Sequence, residues 1–117
     1  MARVKGGVIS LKRRRSVLKR AKGFTHGRST KERLAKESLV HAGKNAFAHR
    51  KDKKNNYRQL WIVRLNAALR EQGYQSYSTF IAKLKGKGYE LDRKVLSEFA
   101  QKHPETFTRI AKQVHQG

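Results

Sequence analysis

The fold is decided by the stretch from Ser29 to Gly73, which reads STKERLAKESLVHAGKNAFAHRKDKKNNYRQLWIVRLNAALREQG. Ser29 and Glu32 form the S-x-x-E pattern that is typical of a helix N-terminus. Gly73 is the first residue after them at which we expect the helix to end. A helix of about 40 residues at roughly 1.5 Å per residue would be about 60 Å long. Such a helix cannot be buried in a chain of 117 residues, so we expect it to project into a binding partner.

The charge is concentrated in the first half of the chain. The formal net charge is +21, from 29 Lys and Arg against 8 Asp and Glu. Residues 1–58 have 19 basic and 3 acidic side chains, a net charge of +16, whereas residues 59–117 have 10 and 5, a net charge of +5. An excess of this size repels itself in a compact state. We therefore expect a polyanion to neutralise it, and nucleic acid is the first candidate.

The apolar residues are distributed the other way. Large apolar side chains are sparse before Tyr57 and recur at helical spacing after it. The first 58 residues therefore have too few of them to offset the entropy cost of folding into a compact domain. We predict an all-α protein with a long basic N-terminal helical tail, residues 1–58, and a small C-terminal helical globule, residues 59–117. Residues 1 to about 55 are expected to be largely disordered in the free protein and to become helical on RNA.

Two shorter features are predicted inside the tail. Ser10 could cap a helix from Leu11 to Lys22, which Gly23 would stop. Basic side chains in this helix meet at i,i+3 and i,i+4 spacing, so it should be mostly unfolded when alone in water. Residues 23–27 are predicted to form a bend before the long helix.

Three short helices are predicted in the globule, where they pack with the end of the long helix. Gly86 and Gly88 would end the first helix, and Asp92 would cap the second. Pro104 suits the first position of the third. The apolar residues predicted to meet in the core are Leu60, Trp61, Val63, Leu65 and Ala67 from the long helix, Tyr77, Phe80, Ile81 and Leu84 from the first short helix, Val95, Leu96 and Phe99 from the second, and Phe107, Ile110, Ala111 and Val114 from the third.

Three aromatic residues have both a structural and an RNA-binding interpretation. Phe24 and Tyr57 could stack on unpaired bases. Tyr57 is nevertheless expected at the rim of the core. Trp61 is expected in the core rather than as a stacking surface, because its neighbours at helical spacing are apolar.

One side of the long helix carries a basic stripe. At about 100° per residue, its Lys and Arg side chains fall within about 80° of one another. The opposite side has small residues, from Ala35 to Ala46, which would let another surface approach the backbone closely. A solvated surface is the alternative for such a stripe, but the rest of the tail is equally basic. The stripe consists of Arg33, Lys36, Lys44, Lys51, Lys54 and Arg58, and contacts with RNA phosphates are expected there and at Arg3, Lys5, Lys12, Arg13, Arg14, Arg15, Lys19, Arg20, Lys22, Arg28, Arg50 and Lys53.

Other chemistries have little support in the sequence. There is no cysteine, and the five histidines are scattered, with few carboxylates to complete a metal site. Because no catalytic or phosphate-loop motif is present, we expect neither an enzyme nor a cofactor. No apolar run reaches the roughly 18 residues that a membrane span requires, so a cytoplasmic protein is expected. An organellar transit peptide is the weaker interpretation of the Arg-rich start, because the basic character continues far beyond a plausible cleavage site.

Several motifs resemble those of one protein family. The stretch from Lys54 to Arg70, KNNYRQLWIVRLNAALR, closely resembles the signature of the L20 (L-twenty) family of bacterial large-subunit ribosomal proteins, which also occur in chloroplasts. The opening MARVK, the AKGF of residues 21–24 and the LDRKVL of residues 91–96 match too, so the resemblance runs the whole length. In the family we expect the next glycine after residues 21–24 one position before Gly27, where this sequence has His26.

The resemblance implies a helical tail buried in large-subunit ribosomal RNA and a small all-helical domain on the surface of the particle, with other large-subunit proteins as neighbours. It also implies a structural constituent of the ribosome that binds early in subunit assembly. Repression of translation through binding to its own messenger RNA is an alternative that is compatible with this role. A histone-like DNA-binding protein and a cationic membrane-active helix are further alternatives, but residues 30–56 offer mostly alanine where a membrane helix needs a broad apolar face.

Overall fold

The computed structural model describes residues 2–117, which contain five α-helices and no strand. The all-α class predicted from the sequence is therefore confirmed. The chain divides into two compact units, one ending at Lys51 and one beginning at Asp52. The helices are α1 (Gly7–Arg20), α2 (Glu32–Glu71), α3 (Tyr77–Gly86), α4 (Arg93–Lys102) and α5 (Pro104–His115), with a 3₁₀ helix at His26–Arg28 between α1 and α2.

The predicted long helix is α2, which runs for 40 residues. It ends at Glu71, two residues before the glycine that was expected to stop it, and the φ of Gly73 is 83°. The N–H of Tyr74 donates to the carbonyl of Leu69 at 3.0 Å, and the N–H of Gly73 donates to that of Arg70 at 3.0 Å. This closing pattern requires a positive φ, which glycine adopts without steric cost.

The start of α2 differs from the prediction. The helix begins at Glu32, and Ser29 ends the preceding 3₁₀ helix, where its hydroxyl donates to the carbonyl of His26 at 3.5 Å. The N–H of Lys31 donates to the carbonyl of Gly27 at 2.9 Å, which closes one more backbone turn. The capping box of Ser29 and Glu32 was therefore wrong, because this turn separates Ser29 from the helix.

The start of α1 also differs from the prediction. The helix begins at Gly7 rather than Leu11 and ends at Arg20. Ser10 lies inside it, where its hydroxyl donates to the carbonyl of Gly7 at 3.0 Å, so Ser10 is not the cap. A serine hydroxyl bonds to a carbonyl of the preceding turn as readily as it caps a helix. The sequence pattern does not distinguish the two cases.

Two residues in the bend between α1 and α2 have a positive φ, which is 90° at Gly23 and 58° at His26. The left-handed conformation costs a residue with a Cβ roughly 1–2 kcal/mol, and glycine avoids this cost. The family resemblance leads us to expect glycine at position 26. The backbone conformation of this bend supplies the physical reason for that expectation.

The core lies in the C-terminal unit, where α2, α3, α4 and α5 all contribute. The Phe80 and Phe107 rings lie 6.1 Å apart, and Phe99 and Ile110 pack against the buried residues. Leu69, which the sequence interpretation omitted, is fully buried. The core consists of Leu65 and Leu69 from α2, Phe80 and Leu84 from α3, Leu96 from α4, and Phe107, Ala111 and Val114 from α5.

Several residues predicted in the core lie outside it. Val63 is 64% exposed, and Ala67 is exposed as well. Each is two positions from Leu65 and therefore lies on the opposite side of α2. Leu60 and Val95 are also exposed. The prediction was wrong for these four residues because it counted apolar residues without fixing which side of the helix faces α3, α4 and α5.

Trp61 is half-buried and does not belong to the core. It lies one turn before Leu65, where it lines a groove with residues at the start of α4. The prediction that Trp61 is a core residue was therefore wrong. Apolar neighbours at helical spacing show that a turn belongs to the apolar side, but only tertiary packing decides whether another helix covers that turn.

The boundaries of the short helices agree with the sequence. α3 ends at Gly86, α4 follows Asp92 at its N-cap, and α5 begins on Pro104. Asp92 makes no side-chain capping hydrogen bond. Asn66 of α2 accepts a hydrogen bond from the N–H of Tyr77 at 3.2 Å, which satisfies a backbone donor that the first turn of α3 leaves free.

The N-terminal unit has no comparable core. Among residues 2–51, the fully buried apolar side chains are Ala21 and Ala35. Arg14 Nη2 donates to the carbonyl of Thr30 at 3.0 Å, which ties α1 to the start of α2. Two alanines bury little apolar surface, so this unit gains little free energy from packing.

Candidate nucleic-acid interface

All 18 basic residues predicted to contact RNA are exposed. Arg3 and Lys5 precede α1, and Lys22 and Arg28 lie in the bend. Six more lie on α1 and eight on α2. The sequence placed them in one half of the chain, and the structure leaves each of them accessible to a ligand.

Few of these charges are neutralised within the protein. In the part of the chain that the structure describes, Lys36 is the one member of the set in an ion pair, with its Nζ 2.7 Å from Glu32 Oε1. The hydrogen bond from Lys36 lowers the pKa of Glu32, and the charges of Lys36 and Arg14 lower it further. Glu37 lies near His41, at 3.9 Å. Apart from Arg14, whose Nη2 donates to the carbonyl of Thr30, the remaining basic side chains of the set are available for an anionic partner.

The basic stripe on α2 also contains an exposed aromatic ring. Phe47 is 74% exposed, and the Arg50 guanidinium lies 5.8 Å from the centroid of its ring. Counting about 100° per residue from Arg33 places Phe47 in the same arc as the stripe. The sequence interpretation missed Phe47 as a binding residue, although its position in that arc was a usable signal. An exposed ring beside a guanidinium is suited to contact a base.

The opposite side of α2 has small side chains as predicted, and part of it is covered. Ala35 is fully buried, Ser38 is half-buried, and Ala42 and Ala46 are exposed. The Ser38 hydroxyl donates to the carbonyl of Leu34 at 2.7 Å, so it is already engaged. Of these four side chains, Ala35 alone is fully buried within the protein, and Ala42 and Ala46 stay open to another surface.

A groove of about 720 Å³ lies in the N-terminal unit between the bend and α2. Phe24 is half-buried in its wall. Part of the Phe24 ring is therefore covered by the protein, which leaves less of it for a base. The groove is lined by Gly23, Phe24, Thr25 and Arg28 from the bend and by Leu34, Glu37, Ser38, His41, Ala42 and Asn45 from α2.

A second groove, of about 300 Å³, lies in the C-terminal unit. It is lined by Arg58 and Trp61 of α2 and by Asp92, Arg93 and Lys94 at the start of α4. The predicted binding residue Arg58 thus lies beside two basic residues that the prediction did not include. Arg93 and Lys94 are adjacent on α4 but lie 35 and 36 positions after Arg58, so tertiary packing brings the three together.

The aromatic and basic groups around this groove are partly fixed in place. Tyr57 is 51% exposed, and its ring lies 6.4 Å from the Trp61 ring at an interplanar angle of 40°. Arg93 Nε donates to the hydroxyl of Tyr77 at 2.6 Å. Tyr57 does not pack against the core, so the position expected for it at the rim of the core was wrong.

Residues 2–117 contain neither a cluster of metal-ligating side chains nor a membrane-spanning helix. No three His, Asp or Glu side chains within that range lie close enough together to hold a metal ion. None of the helices in that range is both long and apolar enough to cross a membrane.

The sequence matches known proteins over nearly its whole length. Residues 3–110 match the model of the family described as ribosomal protein L20. A large ribosomal subunit protein bL20 of Roseiflexus sp. (strain RS-1) is 43% identical over 99% of this chain and 98% of its own length. The bL20 proteins of Leptospira biflexa and Acidiphilium cryptum are 48% and 51% identical, each over 94% of this chain and 93% and 92% of their own lengths. The chain belongs to the ribosomal protein L20 family.

Proposed function

We propose that this protein is a structural constituent of the large ribosomal subunit and binds large-subunit ribosomal RNA directly. The observation that carries the proposal is the set of 18 exposed basic residues in the first half of the chain, of which Lys36 alone is ion-paired within the described residues. The relatives' names place them in the large subunit. Membership of their family supports the same location for this chain, in the ribosome and hence in the cytoplasm.

Phosphate contacts account for most of the binding energy in this proposal. Each Lys or Arg that neutralises a phosphate releases counterions condensed on the RNA, and this release drives association. A helix such as α2 presents its basic stripe along one side, so successive residues contact successive phosphates. The tail buries two alanines of its own, and RNA supplies the contacts that order it.

The same interface supports finer roles. We infer that the protein binds early in assembly, because a tail that fills space between RNA segments is more easily accommodated before those segments close. Neighbouring large-subunit proteins are expected contacts of the exposed C-terminal unit. Binding to its own messenger RNA is the second role, and it would use the folded surface of that unit.

The proposal is tested by measuring affinity for large-subunit ribosomal RNA and for duplex DNA of equal length at matched salt. A protein adapted to A-form RNA and its junctions should bind the RNA more tightly. Chemical footprinting of the bound RNA then identifies the protected nucleotides. Equal affinity for the DNA, with no discrete footprint, would favour a histone-like compactor and contradict the proposal.

A further inference from the structure

We propose that the groove around Trp61 binds one unpaired RNA nucleotide, with its base on the Trp61 ring and its phosphates at Arg58, Arg93 and Lys94. This inference rests on the proposed function, since it assumes an RNA ligand. It assigns to the C-terminal unit a site that selects unpaired structure, whereas the basic tail contacts phosphates of any sequence.

The position of Trp61 is the first observation. Leu65, one turn further along α2, is fully buried in the core, whereas Trp61 is only half-buried and lies outside it. A large aromatic side chain gains most of its stabilising free energy from full burial. The exposed part of Trp61 is available to a ligand, and every RNA base has a π-face that stacks on such a ring.

Tyr57 enlarges the aromatic surface. It lies one turn before Trp61 on α2, its side chain is half-exposed, and the two rings are 6.4 Å apart. Unpaired bases in RNA are commonly recognised by stacking on aromatic side chains. A duplex keeps its bases stacked on one another and offers no free face to these rings.

The charges around the groove fit a nucleotide. Arg58, Arg93 and Lys94 give three positive charges against the one negative charge of Asp92. The guanidinium of Arg93 is held by the hydroxyl of Tyr77 at 2.6 Å, so little side-chain entropy is lost when it contacts a phosphate. The Asp92 carboxylate makes no capping hydrogen bond to α4. It can therefore accept one from a ribose 2′-hydroxyl or a base amino group.

The size of the groove limits the ligand. A volume of about 300 Å³ lies at the lower end of the roughly 300–1,000 Å³ that is typical of small-ligand pockets. The groove thus has room for a single nucleotide and not for a paired helix. The ligand is accordingly a bulged or flipped-out nucleotide on an RNA that the tail also contacts.

Trp61 is the one tryptophan in the chain, so its fluorescence reports on the groove directly. The full-length protein is titrated with two RNA hairpins that differ only by one bulged adenosine. Stacking of the adenosine on Trp61 should quench the fluorescence with the bulged hairpin and leave it nearly unchanged with the fully paired hairpin. Polyglutamate with the same net charge as the hairpins serves as the probe for an acidic protein partner, and it should leave the fluorescence unchanged.

Two variants and one control complete the test. Trp61→Ala should reduce the ratio of affinities for the bulged and the paired hairpin by roughly 5- to 150-fold, as expected for the loss of one base–aromatic stack. Lys94→Gln keeps the reporter and should weaken binding of the bulged hairpin more than that of the paired one. Val63→Ala, on the exposed far side of α2, is the control and should change the affinity for neither hairpin. Circular dichroism checks that each variant keeps its helices.

The outcomes separate this inference from the proposed function. If the protein binds both hairpins with the same change in fluorescence, or with none, the groove does not select an unpaired nucleotide and the inference is overturned. If Trp61→Ala and Lys94→Gln, both folded, keep the full preference, the same conclusion follows. A stronger response to polyglutamate would assign the groove to a protein partner instead. Failure to bind either hairpin or ribosomal RNA would contradict the proposed function itself.

Discussion

Neutralising part of the basic stripe on α2 should weaken the salt dependence of RNA binding. The change is a triple substitution of Arg33, Lys36 and Lys44 by Gln. All three side chains are exposed, and on a helix of 40 residues they lie along one side. Glutamine keeps much of the side-chain length and the helix propensity, so the charge is the main property removed.

The magnitude follows from counterion release. If about 8 phosphates are contacted, affinity should fall by roughly 10⁴-fold between about 50 and 200 mM salt. Loss of three contacts should make the slope of log affinity against log salt concentration shallower by about 2.7. The factor by which affinity falls over this salt range is then roughly 40 times smaller for the variant than for the wild type. Lys36 is already paired with Glu32 at 2.7 Å and must leave that carboxylate to contact a phosphate. The observed change should therefore lie somewhat below the full value.

The measurement is a titration of ribosomal RNA with each protein across the salt range. The control is Lys83, Lys85 and Lys112 replaced by Gln, because these exposed lysines lie in the C-terminal unit. Lys87 is left unchanged, since its Nζ donates to two carbonyls near the end of α5, both at 2.5 Å. The control should change the slope less than the α2 variant does. Equal slopes for the wild type and the α2 variant would show that the stripe faces solvent in the complex.

Three further results are expected. Amide exchange at residues 35–46 of the free protein should be fast, and strong protection there would contradict ordering of the tail by RNA. Phe80→Ala should lower the free energy of unfolding by about 3–5 kcal/mol, and Trp61→Ala should lower it by about 1 kcal/mol. Both values are measured by urea unfolding with circular dichroism, and equal losses would show that Trp61 is a core residue. The pKa of the Glu32 carboxyl, measured by NMR, should lie below its ordinary value of 4.5 because of the hydrogen bond from Lys36. The stabilisation of α2 by the Lys36–Glu32 pair is then fully present at pH values above 4.5 and is lost as the pH falls through the lowered pKa. An ordinary pKa of Glu32 in the wild type would show that the pair does not form.

The short helices illustrate what local sequence predicts well. Gly73 and Gly88 have a positive φ just beyond a helix end, and Pro104 is the first residue of α5, so each restricts or permits backbone conformations in a way that depends on the residue alone. Their positions accordingly gave helix boundaries that are correct to within two residues. Ser10 and Ser29 gave wrong ones, because a serine hydroxyl has several possible backbone partners and the choice depends on the neighbouring turn.

The groove around Trp61 illustrates what local sequence does not predict. The basic residues of the tail were identified from composition, since charge needs no tertiary contact to be exposed. The site around Trp61 was not identified, because Arg93 and Lys94 come from α4 and reach Trp61 only through packing of the C-terminal unit. Phe47 lies between these cases, since helical geometry places it on the basic stripe before any tertiary contact is known.

The sequence by itself determined the helical class, the long helix and the location of the charge. These depend on residue type and spacing, which act within a few turns of one helix. Tertiary structure alone decided that Leu69 belongs to the core and that Trp61 and Val63 do not. The reason is that burial depends on where α3, α4 and α5 cover α2, and an apolar side of a helix extends further than the helices that cover it.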